Sequence, residues 1–175
     1  MKPTLLVFDA QVFAHAAHDS IRQKRKYTGE PYWHHTDEVA LLVASVLGDP
    51  EVIAAAHLHD VLEDVAPDHG FTYGKILSLF GDRVAKMVVD LTDQYVPANY
   101  PTWNRAKRKA KEAERLGMIS PPAMTIKLAD LISNSRSIRQ HDPKFAKTYL
   151  AEKAYLLPFL LEGDPALFRQ AEDLL

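Results

Sequence analysis

Apolar residues recur at intervals of three and four along most of this chain, and no stretch reads as a convincing strand. Residues 9–26 carry Val12, Phe13, Ala16 and Ala17 at helical spacing, with Arg22, Lys24, Arg25 and Lys26 crowded toward the end, where they complement the helix dipole. The turn signal YTGEPY over 27–32 follows, and Trp33, His34 and His35 lead into a second apolar helix that runs to Leu47. Gly48, Asp49 and Pro50 stop it, and Asp49 with Pro50 forms a cap and first-turn pair for a third helix, which a loop over 66–70 ends. Thr72 caps a short helix through Phe80, and Gly81 and Asp82 separate it from another through Thr92, with Val84, Met87, Val88 and Leu91 on one face. Residues 93–102 are irregular. Residues 105–115 form a charged helix with Ala106, Ala110, Ala113 and Leu116 as a narrow apolar stripe. Pro121 and Pro122 open a helix over 123–138, Asp142 and Pro143 start the next, which Pro158 kinks or ends, and Asp164 with Pro165 start a last one. The pattern predicts an all-α fold.

One stretch stands apart from this pattern. Residues 54–64, AAAHLHDVLED, read as part of the third helix, and on a regular helix His59, Asp60, Glu63 and Asp64 fall at roughly 0°, 100°, 40° and 140°, on one face. Val52, Ile53, Ala56, Leu58, Val61, Leu62 and Val65 surround that face, so the helix is expected to be buried. Grouped charges there are costly unless a cation or hydrogen bonds compensate them.

Composition narrows the chemistry that this polar face can perform. At 175 residues the chain suits a single domain over 1–175, and its hydrophobic fraction of 47% with 25% charged residues is ordinary for a globular protein. A formal net charge of −2 gives no argument for nucleic acid or an anionic membrane surface. With no cysteine, metal chemistry must rest on histidine and carboxylates. The start MKPTLLVFDA is too short an apolar run for a secretory signal, and the longest apolar stretch, 39–47, is too short to cross a bilayer. A soluble cytoplasmic protein is the expectation, with no membrane or nucleic-acid partner; the oligomeric state is open.

Three segments offer ligands: His35 at the start of the second helix, His59 and Asp60 on the third, and Asp130 after the double proline. Two imidazoles and two carboxylates suit manganese, iron, zinc or a similar divalent ion. Such an ion makes a water lose its proton more readily, and Glu63 or Asp64, one turn beyond the ligands, could hold that water and take the proton. The competing reading makes His59 a satisfied core histidine and Glu63 and Asp64 the solvated end of a helix. His15, His18, His34, His57, His69 and His141 read as surface or packing histidines, and Trp33 and Trp103 as packing residues.

The segments QKRKYTGEPYWHH, HLHDVLED, FGDRVAKMVVDLT and IKLADLISN, in that order over about residues 10–140, resemble the metal-dependent HD-domain phosphohydrolases. Within them the chain looks most like the hydrolase domain of RelA/SpoT-type stringent-response enzymes and the stand-alone small alarmone hydrolases. The resemblance implies an all-helical HD-domain fold with His35, His59, Asp60 and Asp130 around one ion, usually manganese. It also implies Glu63 and Asp64 as the pair that positions and activates the attacking water, and removal of pyrophosphate from the 3′ position of guanosine tetra- and pentaphosphate. Arg25 and Lys26 match the basic pair near the nucleotide, and Asn134 and Arg136 match the positions following the metal aspartate. Cationic groups in such a site offset charge on phosphoryl oxygens, and Arg25 could also stack on a purine.

The chain departs from the family pattern at four places. Thr36 stands where proline is common, His57 replaces a small or apolar residue, Leu131 replaces a basic residue, and 94–115 shows little of the pattern of long bifunctional enzymes. No synthetase or regulatory domain fits in the remaining chain. Two other functions are therefore weighed: an HD-type hydrolase of another nucleotide, such as a deoxynucleoside phosphate, and an alarmone-binding module without turnover. Arg105, Lys107, Arg108, Lys109, Lys111 and Arg115 either hold substrate phosphates or keep an exposed helix soluble.

Overall fold

In the computed structural model, which describes residues 3–65 and 70–175, the chain divides into two compact units, Met1–Thr92 and Asp93–Leu175. Among the described residues the regular structure is helical, and the only bridge between extended residues is an isolated antiparallel one, Lys24 to Pro31. No helix among them is long and apolar enough to cross a membrane. The expected all-α class is observed. Residues 66–69, which hold most of the expected loop and His69, lie outside the described residues.

The first unit contains α1 (Pro3–Ser20), α2 (Trp33–Ala44), α3 (Pro50–Leu58), a π-helical turn (Val61–Val65), α4 (Tyr73–Phe80) and α5 (Asp82–Leu91). Its centre is α3, which packs against α1, α2 and α5. Small side chains make that possible: Ala54, Ala55 and Ala56 on α3, and Ala10, Ala14 and Ala17 on α1, are fully buried, so backbones approach closely. Asp49 caps α3 by accepting from Glu51 N, Thr72 caps α4 by accepting from Lys75 N, and Gly81 turns the chain into α5 at φ 87.

Three expectations are corrected here. The first helix covers 3–20 rather than 9–26. It ends where Arg22 takes a left-handed φ of 52, and 21–32 becomes a loop whose Arg25 N–H reaches Glu30 O and whose Gly29 N–H reaches Arg25 O. The third helix does not continue regularly through 64: it stops at Leu58 and resumes as the π-helical turn. His59 Nδ1–H takes the Ala56 carbonyl, the acceptor that the Asp60 N–H would use in a continued α-helix, and so competes with the backbone ladder at that point. The second helix also ends earlier than expected, at Ala44.

The second unit contains α6 (Arg105–Leu116), α7 (Pro121–His141), α8 (Pro143–Leu156), a 3-10 turn (Leu157–Leu160) and α9 (Pro165–Glu172). Helix α7 packs against α8, α9 and the 3-10 turn, and α6 against α8. Ile126, Leu128, Ala129, Leu131 and Ile132 of α7 are fully buried. Asn104, Asp142 and Asp164 cap α6, α8 and α9 through their side chains, and a proline follows each of the two aspartates. Pro158 falls in the 3-10 turn that ends α8, as expected. Gly163 is held by close approach, because a Cβ there would lie 2.7 Å from Leu128 Cδ1.

Candidate metal centre

Three of the four expected ligands belong to the first unit, and the fold gathers them. His35 sits in the first turn of α2, His59 caps the C-terminus of α3, and Asp60 follows it. The two histidines are 1% and 2% exposed, so the cluster is built into the interior. Asp60 Oδ2 lies 3.0 Å from His59 Nε2 and 3.6 Å from His35 Nε2, and the two imidazole rings are 5.3 Å apart at 65°. The bond from His59 Nδ1 to Ala56 O, 2.8 Å, makes Nδ1 the donor, so that in the neutral imidazole Nε2 is the nitrogen available to a metal. The Tyr32 hydroxyl donates to Asp60 Oδ2 at 2.6 Å.

This donor set fits a divalent cation. His59 Nε2 and Asp60 Oδ2 stand together at 3.0 Å, with His35 Nε2 close to the same oxygen, and such a convergence of nitrogen and oxygen donors is what a divalent cation takes. The set contains nitrogen and oxygen donors and no sulfur, which matches manganese, iron or zinc.

Asp130, the remaining expected ligand, is buried on α7 of the second unit. Its Oδ2 pairs with Lys127 Nζ at 2.9 Å, and its Oδ1 accepts from Asn134 Nδ2 one helical turn on. Asn134 thus touches the aspartate itself, while Arg136 is exposed on the same helix.

Glu63 and Asp64 lie in the π-helical turn directly after the expected ligands, and both residues are exposed as a whole, although the Asp64 carboxyl group itself is partly covered. Asp64 Oδ2 accepts from Gln23 Nε2 at 2.7 Å. Gln23 Oε1 in turn accepts from His18 Nδ1 at 2.6 Å. Partial burial of the Asp64 carboxyl, reinforced by the Asp60 charge, pushes its pKa up to about 6, where a carboxylate is a usable base near neutral pH. Burial holds the His18 imidazole below its ordinary value, so it is neutral. Arg25 and Lys26 stand in the loop before α2, Arg25 Nη1 at 3.5 Å from Glu38 Oε2 and Lys26 Nζ at 4.9 Å from the Tyr27 ring centre.

Gln23, Tyr32 and His18 received no functional role from the sequence. The first two lie inside the segment QKRKYTGEPYWHH, yet a lone glutamine or tyrosine carries no metal or acid–base signal. His57 also acquires a partner: Asp37 Oδ1 lies 3.2 Å from its Nδ1 and 3.0 Å from His15 Nε2, and Gln11 Nε2 donates to Asp37 Oδ2. The basic residues of α6 are engaged within their own unit. Arg105 pairs with Glu152, Lys109 with Asp93, Lys111 with Glu114 and Arg115 with Glu112. Arg108 donates to Trp103 O, and Lys107 lies over the Trp103 ring at 4.1 Å.

Comparison with known proteins places this geometry in a family context. A family model described as "HD domain" matches residues 10–156. A guanosine-3′,5′-bis(diphosphate) 3′-pyrophosphohydrolase of Aquifex aeolicus is 37% identical over 122 residues, which cover 66% of this chain and 16% of that protein. This chain therefore spans a small part of that relative's length. The guanosine-3′,5′-bis(diphosphate) 3′-pyrophosphohydrolase MESH1 of Danio rerio is 31% identical over 143 residues, covering 81% of this chain and 73% of that protein. A solved structure titled as a metazoan ortholog of SpoT that hydrolyzes ppGpp superposes with a TM-score of 0.82 at 24% identity, over 97% of this chain and 93% of that one, a likeness of fold.

Proposed function

Because the chain belongs to the HD-domain family, we propose that it is a metal-dependent nucleotide hydrolase that removes the 3′-pyrophosphate from guanosine tetra- and pentaphosphate. The observation that carries the reading is the cluster of the buried His35 and His59 with Asp60, with the carboxylate of Asp64 held in the next turn. In this reading both units make one hydrolase domain, and Asp130 of the second unit is the fourth ligand. Manganese is the proposed ion. A divalent cation held there supplies positive charge that eases deprotonation of water and offsets charge on the phosphoryl oxygens.

The residues of the chain then have separate tasks. His35, His59, Asp60 and Asp130 hold the ion. Asp64, with Glu63 beside it, holds the attacking water and takes its proton. Water is added across the bond between the 3′ oxygen and phosphorus: hydroxide goes to the pyrophosphate, the 3′ oxygen gains a proton, and GDP or GTP leaves. Arg25, Lys26, Asn134 and Arg136 are the proposed nucleotide-facing residues. Asn134 has a second task, since its amide already donates to the Asp130 carboxylate.

The test is product analysis on the purified, manganese-loaded chain. Release of GDP and pyrophosphate from guanosine tetraphosphate, abolished by EDTA and restored by manganese, is the expected result. Orthophosphate or a nucleoside released from other nucleotides instead assigns the chain to a different HD-type substrate. Tight binding of guanosine tetraphosphate without turnover makes it a binding module.

A further inference from the structure

His18, Gln23 and Asp64 form a continuous run of side-chain hydrogen bonds that ends on the proposed proton acceptor. We infer that Gln23 is a positioning residue for hydrolysis, its amide fixing the orientation of the Asp64 carboxylate beside the His35, His59 and Asp60 cluster. The inference rests on the reading of Asp64 as the group that takes the proton from water.

Only one orientation of the amide satisfies both contacts. A carboxylate accepts and cannot donate, so the end of Gln23 that faces Asp64 Oδ2 at 2.7 Å must be the NH2 group. The carbonyl then faces His18 Nδ1 at 2.6 Å, and that nitrogen must carry the proton. His18 is fully buried in the last turn of α1, so the amide is anchored to the rigid interior of the first unit. The constraint passes from a packed imidazole to an amide to one oxygen of Asp64, leaving the other oxygen of that carboxylate to accept from water.

A purely structural role for this side chain is poorly supported. The Gln23 backbone is already tied down on both sides: its N–H donates to His18 O at 3.0 Å, and its carbonyl accepts from Tyr32 N at 3.1 Å. The loop therefore keeps its path without the amide. Asp64, by contrast, is an open residue on a one-turn π-helical segment, and its side chain would otherwise sample several rotamers. Misorientation of a reacting group lowers the rate of the chemical step while substrate binding elsewhere is unaffected.

The experiment is a double-mutant cycle with guanosine tetraphosphate on the full, manganese-loaded chain. Gln23→Met keeps the length of the side chain and removes the amide; it should lower kcat roughly tenfold or more with KM within about twofold. Manganese content and helical circular dichroism should match the wild type, and Gln23→Leu should repeat the result as a second variant. In single-turnover measurements on Asp64→Asn protein, adding Gln23→Met should change the rate by less than about twofold, because the amide acts through the lost carboxylate. Wild-type kcat in Gln23→Met, or a loss that multiplies in full with that of Asp64→Asn, overturns the inference and leaves Asp64 in its role. Undiminished turnover in Asp64→Asn itself removes that role, and the inference with it.

Discussion

The Tyr32 hydroxyl donates to Asp60 Oδ2 at 2.6 Å, against the same oxygen that faces His59 Nε2 at 3.0 Å. A hydrogen bond of this kind orients a ligating carboxylate, and loss of such outer contacts lowers metal affinity by roughly 10–100-fold. Tyr32→Phe should show that loss in a manganese titration. The ring itself stays packed, 4.9 Å from His18 and 5.4 Å from His35, so the thermal midpoint should move little. Unchanged manganese affinity would mean that Asp60 is oriented by its other neighbours.

His59→Ala and Asp60→Asn each remove a donor from the proposed ligand cluster, and both should lose bound manganese and activity together. Asp130→Asn tests the proposed contribution of the second unit in the same way. Metal content by atomic absorption is the readout. Full manganese occupancy in His59→Ala and Asp60→Asn contradicts the ligand assignment, and full occupancy in Asp130→Asn alone confines the ion to the first unit.

Much of this architecture was legible in the chain, and the reasons are local. Asp49–Pro50, Asp142–Pro143 and Asp164–Pro165 mark helix starts because a side-chain acceptor and a fixed φ both act within one turn, and all three cap helices as expected. His35, His59 and Asp60 could be picked out as candidates because metal chemistry favours few residue types, and the three side chains do lie together. The break at Leu58 was not legible, since hydrophobic spacing over 54–64 suits an unbroken helix and the competing bond from His59 to Ala56 O depends on a rotamer. Gln23 and Asp64 are joined across 41 residues, and no local pattern signals a pairing at that distance. The early end of α1 has a similar origin: Arg22 to Lys26 suit a helix terminus, but the turn closed around Gly29 draws them into the loop.

The two acidic residues of the π-helical turn should contribute unequally. Asp64 has its carboxylate fixed by Gln23 and its pKa pushed up to about 6, the properties of a base working near neutral pH. Asp64→Asn should retain manganese and slow turnover roughly 100-fold, the loss expected when a proton acceptor is removed. Glu63→Gln should also retain the metal and show the smaller loss. A steady-state comparison of the two variants decides the order, and a larger loss in Glu63→Gln transfers the proton-accepting role to Glu63.

Acid should weaken the fold through His57. Burial lowers its pKa from 6.5 to about 4, and the Asp37 charge offsets only part of that shift. Above pH 6.5 the imidazole is neutral in folded and unfolded chains alike, so it has no effect on stability there. As pH falls from 6.5 toward 4 the unfolded chain takes up a proton that the folded chain refuses, and stability declines across that window. The shift corresponds to a loss of about 3 kcal/mol, complete once the pH is below the folded value. Asp64 works in the opposite direction, because its raised pKa favours the folded chain as acid protonates it, and His18 works in the same direction as His57. Comparison with His57→Leu isolates the histidine from both. Urea midpoints at pH 7.5 and pH 4 should fall much further in the wild type than in the variant, and parallel declines in the two proteins would rule out His57 as the origin of the acid sensitivity.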